Sequence, residues 1–156
     1  MIIGTITPKQ FIEGRVPINI GIVGSRSYEE WVNDPDFSCS LSVFIDNAIN
    51  KYISSLDNKY VKIRIVSGGA IGIDKFAENY ADEKGYEKEI LLANWKAHKG
   101  SAGKIRNSKI INKIQYCIIF WDGESPGTKD MIDKCKVNNI PCKIIIDQKK
   151  GGTRGE

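Results

Sequence analysis

Val61–Asp74 reads VKIRIVSGGAIGID, and the order of events in it decides the fold. Val61–Val66 is rich in Ile and Val and suits a strand covered on both faces. The turn SGGAIG follows, and then Ile73, Phe76, Ala77, Tyr80 and Ala81 recur at the spacing of one buried helix face. Strand, glycine-rich turn and helix form the opening of a βαβ unit.

The same grammar repeats outward. Further strands are expected at Ile18–Val23, Glu89–Leu92, Tyr116–Trp121 and Cys142–Ile146. Leu41, Phe44, Ile45, Ala48, Ile49 and Tyr52 mark one helix between them. Ala102, Ile105, Ile110, Ile111 and Ile114 mark a weaker one, and Thr128, Met131, Ile132 and Cys135 another. The alternation predicts an α/β fold: a Rossmann-like, doubly wound, mostly parallel sheet of five or slightly more strands with helices on both faces. Right-handed crossovers place every βα loop at one edge, where such sheets bind ligands. Residues 17–148 read as the domain. Residues 1–16 read as an extension that adds an edge strand, and 149–156 as a mobile polar tail.

A chain of 156 residues fits one domain with a core of its own. No apolar stretch reaches the roughly 18–20 residues of a membrane span, and the N-terminus lacks the pattern of a secretory leader. Cys39, Cys117, Cys135 and Cys142 form no CxxC pair, and two lie inside apolar runs, which suits reduced thiols in a cytoplasmic protein. One histidine and scattered cysteines give no metal-ligand spacing. The net charge of +4 comes from lysines mixed with acids, too diffuse by itself for a nucleic-acid footprint.

Three glycine-bearing loops follow strands: Gly24–Ser27 (GSRS), Ser67–Asp74 (SGGAIGID) and Trp121–Thr128 (WDGESPGT). Glycine lets backbone approach a ligand, and a helix start offers unpaired N–H groups, so three such loops on one edge point to phosphate or carboxylate. The spacing fits neither the P-loop nor the standard dinucleotide fingerprint. Arg26 either pairs with such an anion or is a surface arginine. Asp74 either contacts a sugar hydroxyl or simply suits a helix's first turn. Ala93–Asn107 (ANWKAHKGSAGKIRN) gathers Trp95, to stack on a base or close a pocket, and His98, to meet a phosphate, move a proton or face solvent. Arg106 and Asn107 are neighbours on a helix, so one is expected to face the ligand and the other to tie down a loop.

These blocks, GSR, SGGAIGID, W–H–G–AG–RN, FWDGESPGTKDMI and IPCKIII, together resemble the YspA-type (YpsA-related) branch of the SLOG superfamily over about Asn19–Ile146. The resemblance implies a Rossmann-like domain that binds nucleotides or NAD-derived ligands, as a sensor or a nucleotide-processing enzyme. It implies ligand loops at Gly24, Ser25 and Arg26, at Ser67, Gly68, Gly69 and Ala70, and over Gly123–Thr128, Gly127 included, with Trp95, Gly103, Arg106 and Asn107 lining the rest. Asp74 is a further ligand candidate from its place at the helix start. LOG phosphoribohydrolases carry PGGxGTxxE with a catalytic glutamate, whereas this chain reads PGTKDM and has Met131 in that place. More distantly it is similar to nucleoside deoxyribosyltransferases. On that comparison Asp122 is the carboxylate to contact a ribose and stabilise its oxocarbenium character, or else it caps its loop; His98, near the same edge, is the other catalytic candidate.

The expected function is therefore binding or sensing of a nucleotide-derived ligand of NAD, ADP-ribose or nucleotide-phosphate type. Cleavage of an N-glycosidic or phosphate bond is the alternative, and single-stranded DNA binding, as in DprA proteins of the same superfamily, is a third. Expected partners are a nucleotide-like small molecule and, unspecified by any residue, a second copy of the chain; nucleic acid is disfavoured by the absence of a basic stripe.

Overall fold

The computed structural model describes residues 17–28, 32, 34–56 and 61–146; the expected N-terminal edge strand and C-terminal tail lie outside them. The strands are β1 Ile18–Gly24, β2 Ile63–Ser67, β3 Glu87–Ile90, β4 Tyr116–Trp121 and β5 Cys142–Ile146. The helices are α1 Pro35–Ser54, α2 Ile73–Lys84, the one-turn α3 Trp95–His98, α4 Ala102–Ile111 and α5 Pro126–Val137. All strand pairs are parallel, in the order β3-β2-β1-β4-β5. This is the Rossmann-like arrangement, with its order reversing between β1 and β4.

Strand alternation sorts the core into two layers. Ile20, Ile22, Ile63, Ile65, Ile118 and Phe120 pack under α1 and α2. Val23, Val66, Cys117 and Ile119 pack on the other face under α4 and α5, against Ile110, Met131 and Cys135. Helix α1 starts on a cap: Asp34 accepts the Asp36 N–H at 3.0 Å, and Pro35 opens the first turn. All four cysteines are free thiols. Among the described residues no helix is long and apolar enough to cross a membrane.

The third strand is displaced from its expected place at Glu89–Leu92. After α2 the Tyr86 N–H donates to Ala81 O at 2.9 Å, so the chain turns at once into the sheet and Glu87 pairs with Arg64. As an edge strand β3 carries Glu87, Lys88 and Glu89, charges that mask it in an apolar search. Glu87 meets Lys62 at 2.7 Å and Arg64 at 2.9 Å. Leu91 N–H still donates to Ser67 O at 2.8 Å, and from Leu92 to Asn94 the chain leaves the sheet as a loop.

Candidate functional site

The carboxyl ends of β1, β2 and β4, with the loop after β3, enclose one pocket of about 530 Å³. Gly24, Ser25 and Arg26 line it from β1; Gly68, Gly69, Ala70, Ile71 and Asp74 from the β2 loop and α2. Leu92, Ala93 and Trp95 come from the segment after β3, Arg106 and Asn107 from α4, and Ser125, Gly127, Thr128 and Met131 from the last loop and α5.

The β1 and β4 loops are latched together. Ser25 N–H donates to Phe120 O at 2.9 Å, Asp122 N–H to Ser25 Oγ at 3.2 Å, and the Ser25 and Thr128 hydroxyls meet at 3.2 Å. The β2 loop is shaped by close approach. A Cβ on Gly68 would stand 2.2 Å from Arg106 Nη1, and one on Gly69, where φ is +74°, 2.3 Å from Leu92 Cδ2.

Two helices begin at this pocket without a side-chain cap: α2 after Gly72, and α5 after Ser125. Their first N–H groups keep the positive end of each dipole directed at the cavity, a natural seat for an anion. Arg106 adds a cation. Its Nη1 donates to Gly68 O at 2.8 Å and its Nε to Asn107 Oδ1 at 3.3 Å. Asn107 Nδ2 in turn donates to Gly127 O and to Asp130 Oδ2, both at 3.0 Å. The expected division of labour between Arg106 and Asn107 is therefore corrected. Both line the pocket and both tie down a loop, because the long arginine side chain reaches back over its neighbour.

Asp74 is buried in the wall at 4% exposure. Its Oδ2 accepts the Ala70 N–H at 3.2 Å, while Oδ1 has no partner. Burial pushes this carboxyl up to about 6, against the pull of the Arg106 guanidinium and of backbone donors.

Five expected site residues stand elsewhere. Asp122 is outside the pocket lining, and its carboxylate is consumed by the loop: it accepts Glu124 N–H at 2.9 Å, Ser125 N–H at 2.8 Å, Ser125 Oγ at 2.9 Å and Ser27 Oγ at 2.8 Å. Burial alone would raise it, but these donors outweigh that and hold it at about 2. In this geometry the carboxylate frames its own loop. His98 is exposed on α3, off the pocket. Ser67 lies behind the loop and donates to Glu78 Oε2 at 3.4 Å. Gly103 sits on α4, where a Cβ would lie 3.7 Å from Trp95, and Gly123 forms a turn at φ +87°.

Ser125 falls inside the expected loop Gly123–Thr128, whereas Val23, Ile71, Leu92, Ala93 and Met131 line the pocket without having been expected there. Ile71 and Leu92 are 48% and 68% exposed and, with Trp95 at 51%, make an apolar lip. An isoleucine inside a glycine-rich turn was the available signal. Among the described residues no group of His, Cys, Asp and Glu is placed to hold a metal ion.

Comparison with protein-family models and with curated proteins found no match. Among solved structures, the DNA processing protein A (DprA) from Streptococcus pneumoniae is similar, with a TM-score of 0.44 and 17% identity over 90% of this chain. This chain spans 62% of the length of that one.

Proposed function

We propose that this domain binds a phosphate-bearing, nucleotide-type ligand, of the mononucleotide, ADP-ribose or NAD kind, in the pocket at the ends of β1, β2 and β4. One observation carries the reading: two uncapped helix starts and the Arg106 guanidinium face a cavity whose outer lip is apolar. The first two suit a phosphate, and Trp95, Leu92 and Ile71 suit the flat face of a base. The volume of about 530 Å³ is that of an ordinary small-molecule site.

A thermal-shift panel of AMP, ADP-ribose, NAD and inorganic phosphate tests it. A ligand at 100 times its Kd adds about 2.7 kcal/mol, a rise of roughly 5–10 °C in Tm. In Arg106→Ala the shift is expected to collapse, since a charge-assisted hydrogen bond is worth about 1.5–3 kcal/mol. Absence of any shift across the panel refutes the reading.

A hydrolytic role has one specific observation in its favour. Asp74 is the carboxyl on the pocket wall, and burial keeps it protonated up to about pH 6, suiting it to protonate a departing base. Release of free base from AMP that disappears in Asp74→Asn, with binding retained, tests that role.

A further inference from the structure

The molecule holds nucleophiles that the pocket does not use. Cys117 on β4 and Cys142 on β5 are register partners in a parallel pair, so both side chains leave the sheet on the same face. Cys135 comes down onto that face from α5. Its thiol is hydrogen-bonded to those of both Cys117 and Cys142, so three of the four cysteines meet in one cluster. None of the three lines the pocket, and among the described residues no group of His, Cys, Asp and Glu is placed to hold a metal ion.

Access and acidity divide the cluster. Cys117 and Cys135 are fully buried, whereas Cys142, the first residue of the edge strand β5, is half-buried and is the sulfur of the three that solvent reaches. The S–H donated by Cys117 holds the Cys135 thiol below its ordinary range, and Cys142 acts on it in the same direction. Burial raises the thiol of Cys142 itself, against the pull of the Lys136 ammonium. The buried sulfur with the most thiolate character therefore touches the one that an oxidant can meet. That is the relation of a resolving thiol to a peroxide-reactive one.

We propose that Cys142 and Cys135 form a reversible redox pair, closed to a disulfide by hydroperoxides and reopened by thiols. Cys142 Sγ attacks the peroxide: an S–O bond forms, the O–O bond breaks, and the alcohol leaves (water, from hydrogen peroxide), with Cys142 oxidised to a sulfenic acid. Cys135 Sγ then attacks that sulfur, the S–O bond breaks, water leaves with the Cys135 proton, and the S–S bond closes. In sum two thiols lose two electrons and two protons, and the peroxide takes them up.

The bond has a structural consequence. Bonded sulfurs stand about 2.05 Å apart, closer than hydrogen-bonded thiols, so closure draws α5 towards β5. Met131 lies one turn before Cys135 on α5 and lines the pocket, and Asp130 beside it accepts from Asn107. Oxidation of the pair thus reaches the pocket wall along one helix, whatever that pocket binds.

The test is peroxide titration of the full chain carrying Cys39→Ser, which removes the exposed thiol that would join two copies. Thiols are then blocked with N-ethylmaleimide in denaturant, and the protein is mapped by mass spectrometry. The expected product is a single Cys135–Cys142 disulfide with Cys117 alkylated, and dithiothreitol is expected to return all three thiols. Hydrogen exchange of the amides over Lys129–Ile132 is expected to differ by about threefold or more between the two forms. In Cys135→Ser the sulfenic acid at Cys142 has no partner and is expected to be trapped by dimedone. Cys142→Ser, a change at a half-buried site that the fold tolerates even where a serine at Cys135 is not accepted, is expected to show neither sulfenic acid nor disulfide. Thiols that all stay free under peroxide overturn the proposal. So does a disulfide through Cys117, a sulfinic acid at Cys142 without a disulfide, or a disulfide that persists in Cys142→Ser. Exchange on α5 that is the same in both forms overturns the link to the pocket wall.

Discussion

Arg106 Nε donates to Asn107 Oδ1 at 3.3 Å, so two neighbours on α4 hold opposite walls of the pocket through one shared hydrogen bond. Arg106 fastens the β2 loop at Gly68 O, and Asn107 fastens the β4 loop at Gly127 O. Movement of either loop is thereby felt by the other.

The buried partner is the more costly to remove. Asn107 is 5% exposed, and truncation leaves Gly127 O and Asp130 without a donor they now have. Asn107→Ala is expected to cost about 1–3 kcal/mol. That corresponds to a fall of roughly 3–10 °C in Tm, measurable by calorimetry.

Asp74 makes the fold pH-sensitive in an unusual direction. Its carboxyl is raised from 3.8 to about 6, so between those values the folded state binds more protons than the unfolded state. Stability from this group is complete below the unfolded value and declines as pH rises to about 6, by an amount on the order of 3 kcal/mol. Denaturation at a series of pH values between 4 and 7 should show this decline in the wild type and a flatter profile in Asp74→Asn.

The opposite sign belongs to Asp122, held at about 2. It stabilises the fold above its ordinary range near 3.8, and that contribution is lost as pH falls towards 2. Asp122→Asn is expected to lower Tm while leaving ligand-induced shifts in place. A variant of unchanged stability that has lost ligand response would return Asp122 to the site.

Gly68 is a test of Arg106 made without touching it. An added methyl would stand 2.2 Å from Nη1 and 2.9 Å from Asp74 Oδ2, so the guanidinium must leave the Gly68 carbonyl. Gly68→Ala should weaken binding of AMP by about tenfold, comparable to the loss of one charge-assisted hydrogen bond. Isothermal titration gives the ratio directly.

Much of this architecture is legible in the chain itself. The runs at Ile18–Val23 and Tyr116–Trp121, and the helical spacing from Ile73 to Ala81, determine strand and helix because burial on a fixed period leaves its imprint on each element separately. The glycine-bearing loops are legible for the same local reason. Tertiary structure decided what depends on distance. The edge position of β3, masked by its own charges, leaves Leu92 and Ala93 beyond the strand for the pocket rim. Asp122 and Asp74 are both acids beside a glycine turn. Three donors from its own loop and the Ser27 hydroxyl from the β1 loop satisfy the first, while burial leaves an oxygen of the second without a partner. What the stretch around Asp122 does not encode is the Ser27 donor, 95 residues away, and what the stretch around Asp74 does not encode is its burial; both depend on parts of the chain that only the fold brings together.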